Sequence, residues 1–313
     1  MLKKKGSIIL GTTALLAAGI LAGCGGNGAT DATTAATTGA SDSSTTASGT
    51  LTAESLCKDV SEKLDDIKSY SFNTGTKIDY SVSTEGMNMT MKMDGIMEGE
   101  SITESNEAHI KFDYNASMLG QEIKLANEAY AIINDDGSYV TYSKTTTDGE
   151  TGKWEKNESD TEIDLDSMRN ADVYKQIADG KIEAVLTDGN DKVNGKDVYK
   201  IDAVIPGELF EEVYSNMYGG SSDTSDAFGG ADFSKINAKT ELYIYKDSHL
   251  PARTYMDIRE YGESLMQQAM SSTGSSQDYT ISFGDFSVDM SMDDYNKIDK
   301  ILIPDEVLKE AEE

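Results

Sequence analysis

Between Tyr70 and Ser143 the apolar residues fall on every second position, and no other feature of the chain limits its fold so tightly. Tyr70, Phe72, Ile78, Tyr80 and Val82 share one phase. After a turn at Ser83 to Gly86, Met87, Met89, Met91, Met93 and Met97 share the next. A period of 2 sends alternate side chains to opposite faces of a strand, whereas a helix needs 3.6. Two such runs around a short turn predict a long antiparallel hairpin. The pattern continues through Ile110, Phe112, Tyr114 and Ala116, then Ile123 and Leu125, then Tyr130 and Ile132. Asn134-Asp135-Asp136-Gly137 is a turn signal leading back into Tyr139 to Ser143. Lys153-Trp154-Glu155 places the only tryptophan on a short strand. This part of the chain reads as a β-meander of about five to seven strands.

Helical spacing frames the meander. Leu56, Val60, Leu64 and Ile67 recur at intervals of four and three opposite Lys58, Asp59, Glu62, Lys63 and Asp65, which predicts an amphipathic helix over Thr52 to Lys68. Cys57 lies beside that stripe and, without a nearby His or CxxC partner, reads as a small packing residue. A second helix is predicted from Asp164 to Asp179, and a short one from Glu208 to Met217. Strands resume at Ile182 to Leu186 and at Val198 to Ile205, joined through Gly189 and Val193-Asn194-Gly195-Lys196. Residues 219–232, rich in Gly, Ser and Asp, read as a disordered insertion. Then come a strand at Asn237 to Tyr245, a turn through Leu250-Pro251, and a strand from Arg253 to Ile258. A helix at Glu260 to Ser271, a flexible break at Gly274-Ser275-Ser276 and a closing strand at Tyr279 to Met292 follow. The closing strand alternates less cleanly, and Pro304-Asp305-Glu306 opens a last helical turn.

The start of the chain concerns location. Lys3, Lys4 and Lys5 precede an apolar run from Ile8 to Ala22, the layout of a secretory signal and too short for a lasting span. Leu21-Ala22-Gly23-Cys24 resembles the lipobox of bacterial lipoproteins. That resemblance implies that residues 1–23 are removed and that Cys24 is acylated, with palmitate among the expected chains. Two chains at about 0.8 kcal/mol per buried methylene hold a protein on a bilayer where one does not. Residues 24–51 are then a Gly/Ala/Ser/Thr tether that cannot bury enough apolar surface to order itself. Its reach as a coil is about 25–30 Å. The expected location is the extracytoplasmic face of the cell membrane, with the membrane as partner through Cys24.

Charge narrows the partners. The chain has 27 Lys+Arg against 56 Asp+Glu; loss of the leader's three lysines leaves 24 against 56, a formal charge of −32. Such an acidic surface repels nucleic acid and anionic headgroups, so no nucleic acid is expected and the anchor has to work without a polybasic grip. With Cys24 acylated, Cys57 has no partner and no disulfide framework exists. The fold of residues 52–313 rests on its own core, for which one β-rich domain is feasible.

The succession of helix, long meander and crossing helices, then Leu242-Tyr243-Ile244-Tyr245-Lys246-Asp247, Leu250-Pro251, Tyr295-Asn296-Lys297-Ile298 and Ile303-Pro304-Asp305-Glu306-Val307, is similar to lipid-anchored members of the LolA/LppX-like superfamily, notably uncharacterised lipoproteins of Gram-positive bacteria. The resemblance covers roughly Thr52 to Ala311. It implies an α+β fold: a strongly curved antiparallel β-sheet, or half-barrel, with helices covering its concave face and an apolar cavity for lipid or lipoprotein acyl chains. Tyr80, Met87, Met89, Met91, Met93, Met97, Phe112 and Tyr114 would line that cavity. A tethered protein cannot ferry cargo across a periplasm, so reception or presentation of a lipid fits better than shuttling.

The residues allow this independently, because methionine is flexible and polarisable and suits ligands of variable shape. They equally allow a filled core beneath helices. A third reading is Cu(I), since thioethers are soft donors; but strand alternation alone produces Met-x-Met, and His109 and His249 are remote in sequence. No other metal and no cofactor is expected. Asp188 to Gly195 fails as a calcium loop, with Lys192 in the third ligand position and Val193 in place of the required glycine, and reads as a hairpin turn. No nucleophile elbow, HExxH, phosphate loop or dinucleotide glycine pattern is present, so no enzyme is expected. Two functions remain: an apolar-ligand binding module, and a structural or interaction lipoprotein of the cell envelope with a filled core.

Overall fold

The structure, a computed structural model, describes residues 51–84, 87–118, 120–133, 139–159, 171–207, 237–272 and 280–312. Outside the described residues lie the predicted leader, Cys24 and tether, the turn at 134–137, and positions 164–170 of the second predicted helix. So do the predicted helix over 208–217, the insertion at 219–232 and the break at 274–276.

Helix α1 (Ala53–Leu64) begins where its sequence supplies a cap: the Thr52 side chain accepts from the Ser55 backbone, and the Ser55 hydroxyl accepts from the Thr52 backbone at 3.0 Å. It buries Leu56, Cys57, Val60 and Leu64. It ends four residues before the predicted Lys68, because Asp65 and Asp66 meet the negative end of the helix dipole; Ile67 stays buried in the turn that follows. Helix α2 (Ala171–Ala178) buries Val173, Tyr174 and Ile177, α3 runs Arg259–Ser272, and α4 (Asp305–Ala311) extends the predicted last turn.

Thirteen strands are described. They are β1 (Ser69–Thr84), β2 (Met87–Ile102), β3 (Glu107–Met118), β4 (Gln121–Ile133), β5 (Tyr139–Thr147), β6 (Glu150–Thr151), β7 (Glu155–Ser159), β8 (Ala184–Thr187), β9 (Lys192–Val193), β10 (Lys196–Pro206), β11 (Asn237–Tyr245), β12 (Pro251–Asp257) and β13 (Thr280–Asp293). They form one large antiparallel sheet that is not closed, in the order β6-β5-β4-β3-β2-β1-β13-β12-β11-β10-β8, with β7 on β5 and β9 on β10. The large antiparallel sheet and the meander match expectation; the described residues are mostly β with four helices, so the α+β expectation holds only in part. Trp154 is not on a strand: it precedes β7 and sits, 6% exposed, against Tyr130 at 5.7 Å. The pair β9–β10 turns through Asn194 (φ 52°) and Gly195 (φ 78°), the backbone of a tight hairpin and the chemistry predicted for that turn.

The uneven alternation of β13 has a local cause. Asp79 pairs with Asp285 but Tyr80 pairs with Phe283, so a bulge at Gly284 shifts the phase. Ile281 and Phe283 therefore share a face with Phe286, Val288, Met290 and Met292. The apolar side chains of β1, β2, β3, β8, β10, β11 and β13 join those of α1 and α2 in one core. Gly262 of α3 lies on the same face: a Cβ there would come within 2.6 Å of the Phe286 ring. On the opposite face α4 and the segment before it bring Ile301 and Val307 against Ile102, Tyr130, Val140, Tyr142 and Trp154.

Candidate functional site

The predicted cavity residues stand together on the helix-bearing face. Tyr80 pairs with Met91, Val82 with Met89 and Ile78 with Met93 across β1 and β2. Gly95 pairs with Tyr114 and Met97 with Phe112 across β2 and β3. The Tyr80 hydroxyl donates to Met91 Sδ at 3.6 Å, the Tyr80 and Phe283 rings lie 5.3 Å apart, and Phe112 and Tyr114 lie 4.6 Å apart. Met93 (2% exposed), Tyr114 (7%) and Met91 (8%) are buried, whereas Tyr80, Met89, Met97 and Phe112 are half-buried. Met87 holds its place on β2 opposite Thr84, and its side chain lies outside the described residues, as does Cys24.

Two glycines give the face its relief. A Cβ at Gly95 would meet Tyr114 Cε2 at 2.8 Å, and one at Gly99 would meet Phe72 Cζ at 2.8 Å. Both rings thus lie flat across β2, a packing that only a bare backbone permits. Every charged residue of β1, β2 and β3 takes the other phase, from Lys77 and Asp79 to Lys111 and Asp113. The helix-bearing face of β1 to β5 carries no ionisable side chain except tyrosine. Burial raises the Tyr80 and Tyr114 hydroxyls above the ordinary tyrosine value, so both are protonated donors at neutral pH.

Sequence reasoning did not assign the buried threonine and serine hydroxyls of this face. Thr74 (1% exposed), Thr76 (4%) and Ser101 (0%) are in phase with the apolar residues. Thr74 Oγ1, Ser101 Oγ and the Tyr114 hydroxyl have no hydrogen-bond partner among the described residues. The available signal was a Thr-x-Thr pair in the same phase as Phe72 and Ile78.

Away from the α4 cluster the opposite face is polar. A furrow of about 470 Å³ there is lined by Glu98, Glu100, His109, Lys111, Asn194 and Asp293 among others. His109 stacks on Tyr130 with centroids 4.2 Å apart, and its Nε2 lies 2.9 Å from Glu128 Oε1; Lys196 holds Asp293 at 3.2 Å. His109, Lys111 and Asp293 are thus already paired within the fold. Among the described residues no group of three or more His, Cys, Asp and Glu is placed to hold a metal ion, and no helix is long and apolar enough to cross a membrane.

The sequence model of a family of unknown function, DUF6612, matches residues 52–312. No curated protein matches the chain significantly. Among solved structures, the chain is similar to a beta-barrel-like protein of domain of unknown function DUF1849 from Brucella abortus, with 14% identity, a TM-score of 0.22, and coverage of 72% of this chain and 97% of that one. MucB in complex with MucA(peri) matches with 10% identity, a TM-score of 0.21, and 81% and 60% coverage. A DUF1329 family protein from Desulfovibrio piger matches with 11% identity, a TM-score of 0.21, and 78% and 92% coverage. At such TM-scores these likenesses bear on neither fold nor function.

Proposed function

This chain belongs to the DUF6612 family, and we propose that it is a membrane-anchored, extracytoplasmic lipoprotein that binds a lipid or other apolar ligand without catalysing a reaction. One observation carries the reading: the uncharged face of β1 to β4 leaves Tyr80, Met89, Met97, Phe112 and Leu125 half-buried among the described residues, while the same face under α1 and α2 is sealed. Apolar area contributes about 25 cal/mol per Å² when a ligand removes it from water. Unbranched methionines let one surface accept acyl chains of different shape. In this reading the sheet curls as a half-barrel with α1, α2 and α3 over its concave side, as the likeness to LolA/LppX-like lipoproteins implies. The lipobox-like Leu21 to Cys24 supports the anchor, and the acidic chain supports a neutral rather than an anionic surface for the ligand.

The alternative envelope role, with a filled core and a protein partner, draws on the burial of Met91 and Met93. One experiment separates the two. The full chain is purified from its own host and weighed under native conditions, then delipidated and titrated with a fluorescent acyl probe. Co-purified lipid and saturable probe binding are expected; absence of both leaves the structural role.

A further inference from the structure

We propose that the ligand of this face is a neutral amphiphile, an acyl ester or amide, whose carbonyl oxygen accepts a hydrogen bond from Tyr114. The proposal rests on the apolar-ligand reading above and adds the chemistry of the ligand's polar end.

Tyr114 is the residue whose role the fold leaves open. Its hydroxyl is buried and has no partner among the described residues. A buried hydroxyl left unpaired forfeits its hydration without replacement, and folded proteins keep few of them. A phenylalanine would fill the same ring site without that cost. The ring lies across the bare backbone of Gly95, with Cε2, Cδ2 and Cζ at 2.8, 3.1 and 3.4 Å from where a Cβ would stand. That placement carries the ring over β2 from β3, towards Thr76, which pairs with Gly95 from the other side. Thr74, one in-phase step from Thr76, adds a second hydroxyl without a partner among the described residues. Two hydroxyls without partners among the described residues thus share one apolar face.

The surroundings select the acceptor. No Lys, Arg or His lies on this face of β1 to β5, so a buried carboxylate or phosphate would lose its hydration without gaining a counter-charge. An ester or amide carbonyl accepts the same hydrogen bond without that cost. Met97 is the half-buried neighbour on this face: the register seats it between Thr74 and Phe112, and its unbranched chain can swing aside to admit a ligand. Burial keeps the Tyr114 hydroxyl protonated well above neutral pH, as a donor must be.

The test compares the delipidated full chain with its Tyr114→Phe variant, using a pyrene-labelled fatty acid methyl ester and a pyrene-labelled alkane of equal length. Wild type should bind both, the ester more tightly. In Tyr114→Phe the ester should weaken about five- to tenfold, the net worth of one hydrogen bond, with the alkane unchanged. The variant's melting temperature should equal or exceed that of wild type, since no protein partner is lost. Equal weakening of both probes would assign Tyr114 to packing, and no change in either would detach its hydroxyl from the ligand; each overturns the proposal. So would a fall of several degrees in melting temperature, which would reveal a partner within the protein. If wild type binds neither probe, the apolar-ligand function itself fails.

Discussion

Replacing Gly99 by alanine adds one methyl group at the tightest point of the β1–β2–β3 sheet, and the cost can be worked out from the contacts. The new Cβ would stand 2.5 Å from the His109 carbonyl oxygen and 2.8 Å from Phe72 Cζ. The first of these is backbone in the middle of a paired strand, so β3 has to move away from β2. Overpacking of this kind costs about 1–3 kcal/mol. Against it stands a gain of about 0.4–1 kcal/mol from restricting the unfolded chain. The net expectation is a loss of about 1–2 kcal/mol, or a melting temperature lower by about 2–8 °C for a domain of this size. Gly75→Ala is the internal control: its Cβ would meet only the Asp289 carbonyl, at 3.9 Å, so the entropy gain should stand alone and stabilise by about 0.5 kcal/mol. Gly95→Ala should fall between, because the contact at 2.8 Å is with the Tyr114 ring, which can tilt. Urea denaturation of the three variants reads the series directly. If Gly99→Ala is as stable as Gly75→Ala, the close approach of β2 to β3 and Phe72 is wrong.

Met93→Ala, at a site 2% exposed, should cost about 2–5 kcal/mol, and Met97→Ala at its half-buried site clearly less; equal losses in denaturation would contradict the division of the methionine strand into core and open face. Burial pushes the Asp59 carboxyl up, but hydrogen bonds from His249 and Lys63 outweigh it and hold the folded value below the ordinary one. This latch between α1 and the β11–β12 turn therefore contributes fully above the unfolded pKa of about 3.9 and fades as pH falls through the lower folded value. Asp59→Asn should melt below wild type at neutral pH and converge with it in acid; parallel curves across the range would exclude the latch. Burial raises the Cys57 thiol to about 12, so a thiol reagent at pH 8 should label it only in denaturant, and labelling of the native protein would show that α1 opens. Cys24→Ala should leave the precursor unprocessed or release the protein into the medium, and membrane retention at the wild-type level without the uncut leader would refute the acyl anchor.

Much of the molecule is local in origin and was legible for that reason. The period of 2 in β1 to β5 follows from one face being buried and the other solvated. The start of α1 follows from the Thr52 and Ser55 hydroxyls, and the β9–β10 hairpin from Asn194 and Gly195, which accept positive φ. The grouping of Tyr80, Met89, Met91, Met93, Met97, Phe112 and Tyr114 on one face is a consequence of that same period. Trp154 escaped the reading because a single bulky residue between Gly152 and Glu155 has no period to declare it.

What sequence could not decide is long-range. The pairing of β1 with β13, from Ser71↔Asp293 to Ser83↔Thr280, joins the meander to the second half of the sheet over some two hundred residues of chain. No local signal encodes that partner; it is selected because both strands bury the same face against α1 and α2, and because a bulge at Gly284 brings Phe283 and Phe286 into one phase. The relief of the candidate site is tertiary for a like reason. The amino acids at Gly95, Gly99, Phe72 and Tyr114 can be read from the chain, but register alone lays the two rings across the two glycines. That packing, and not the alternation, leaves the Tyr114 hydroxyl buried without a partner among the described residues.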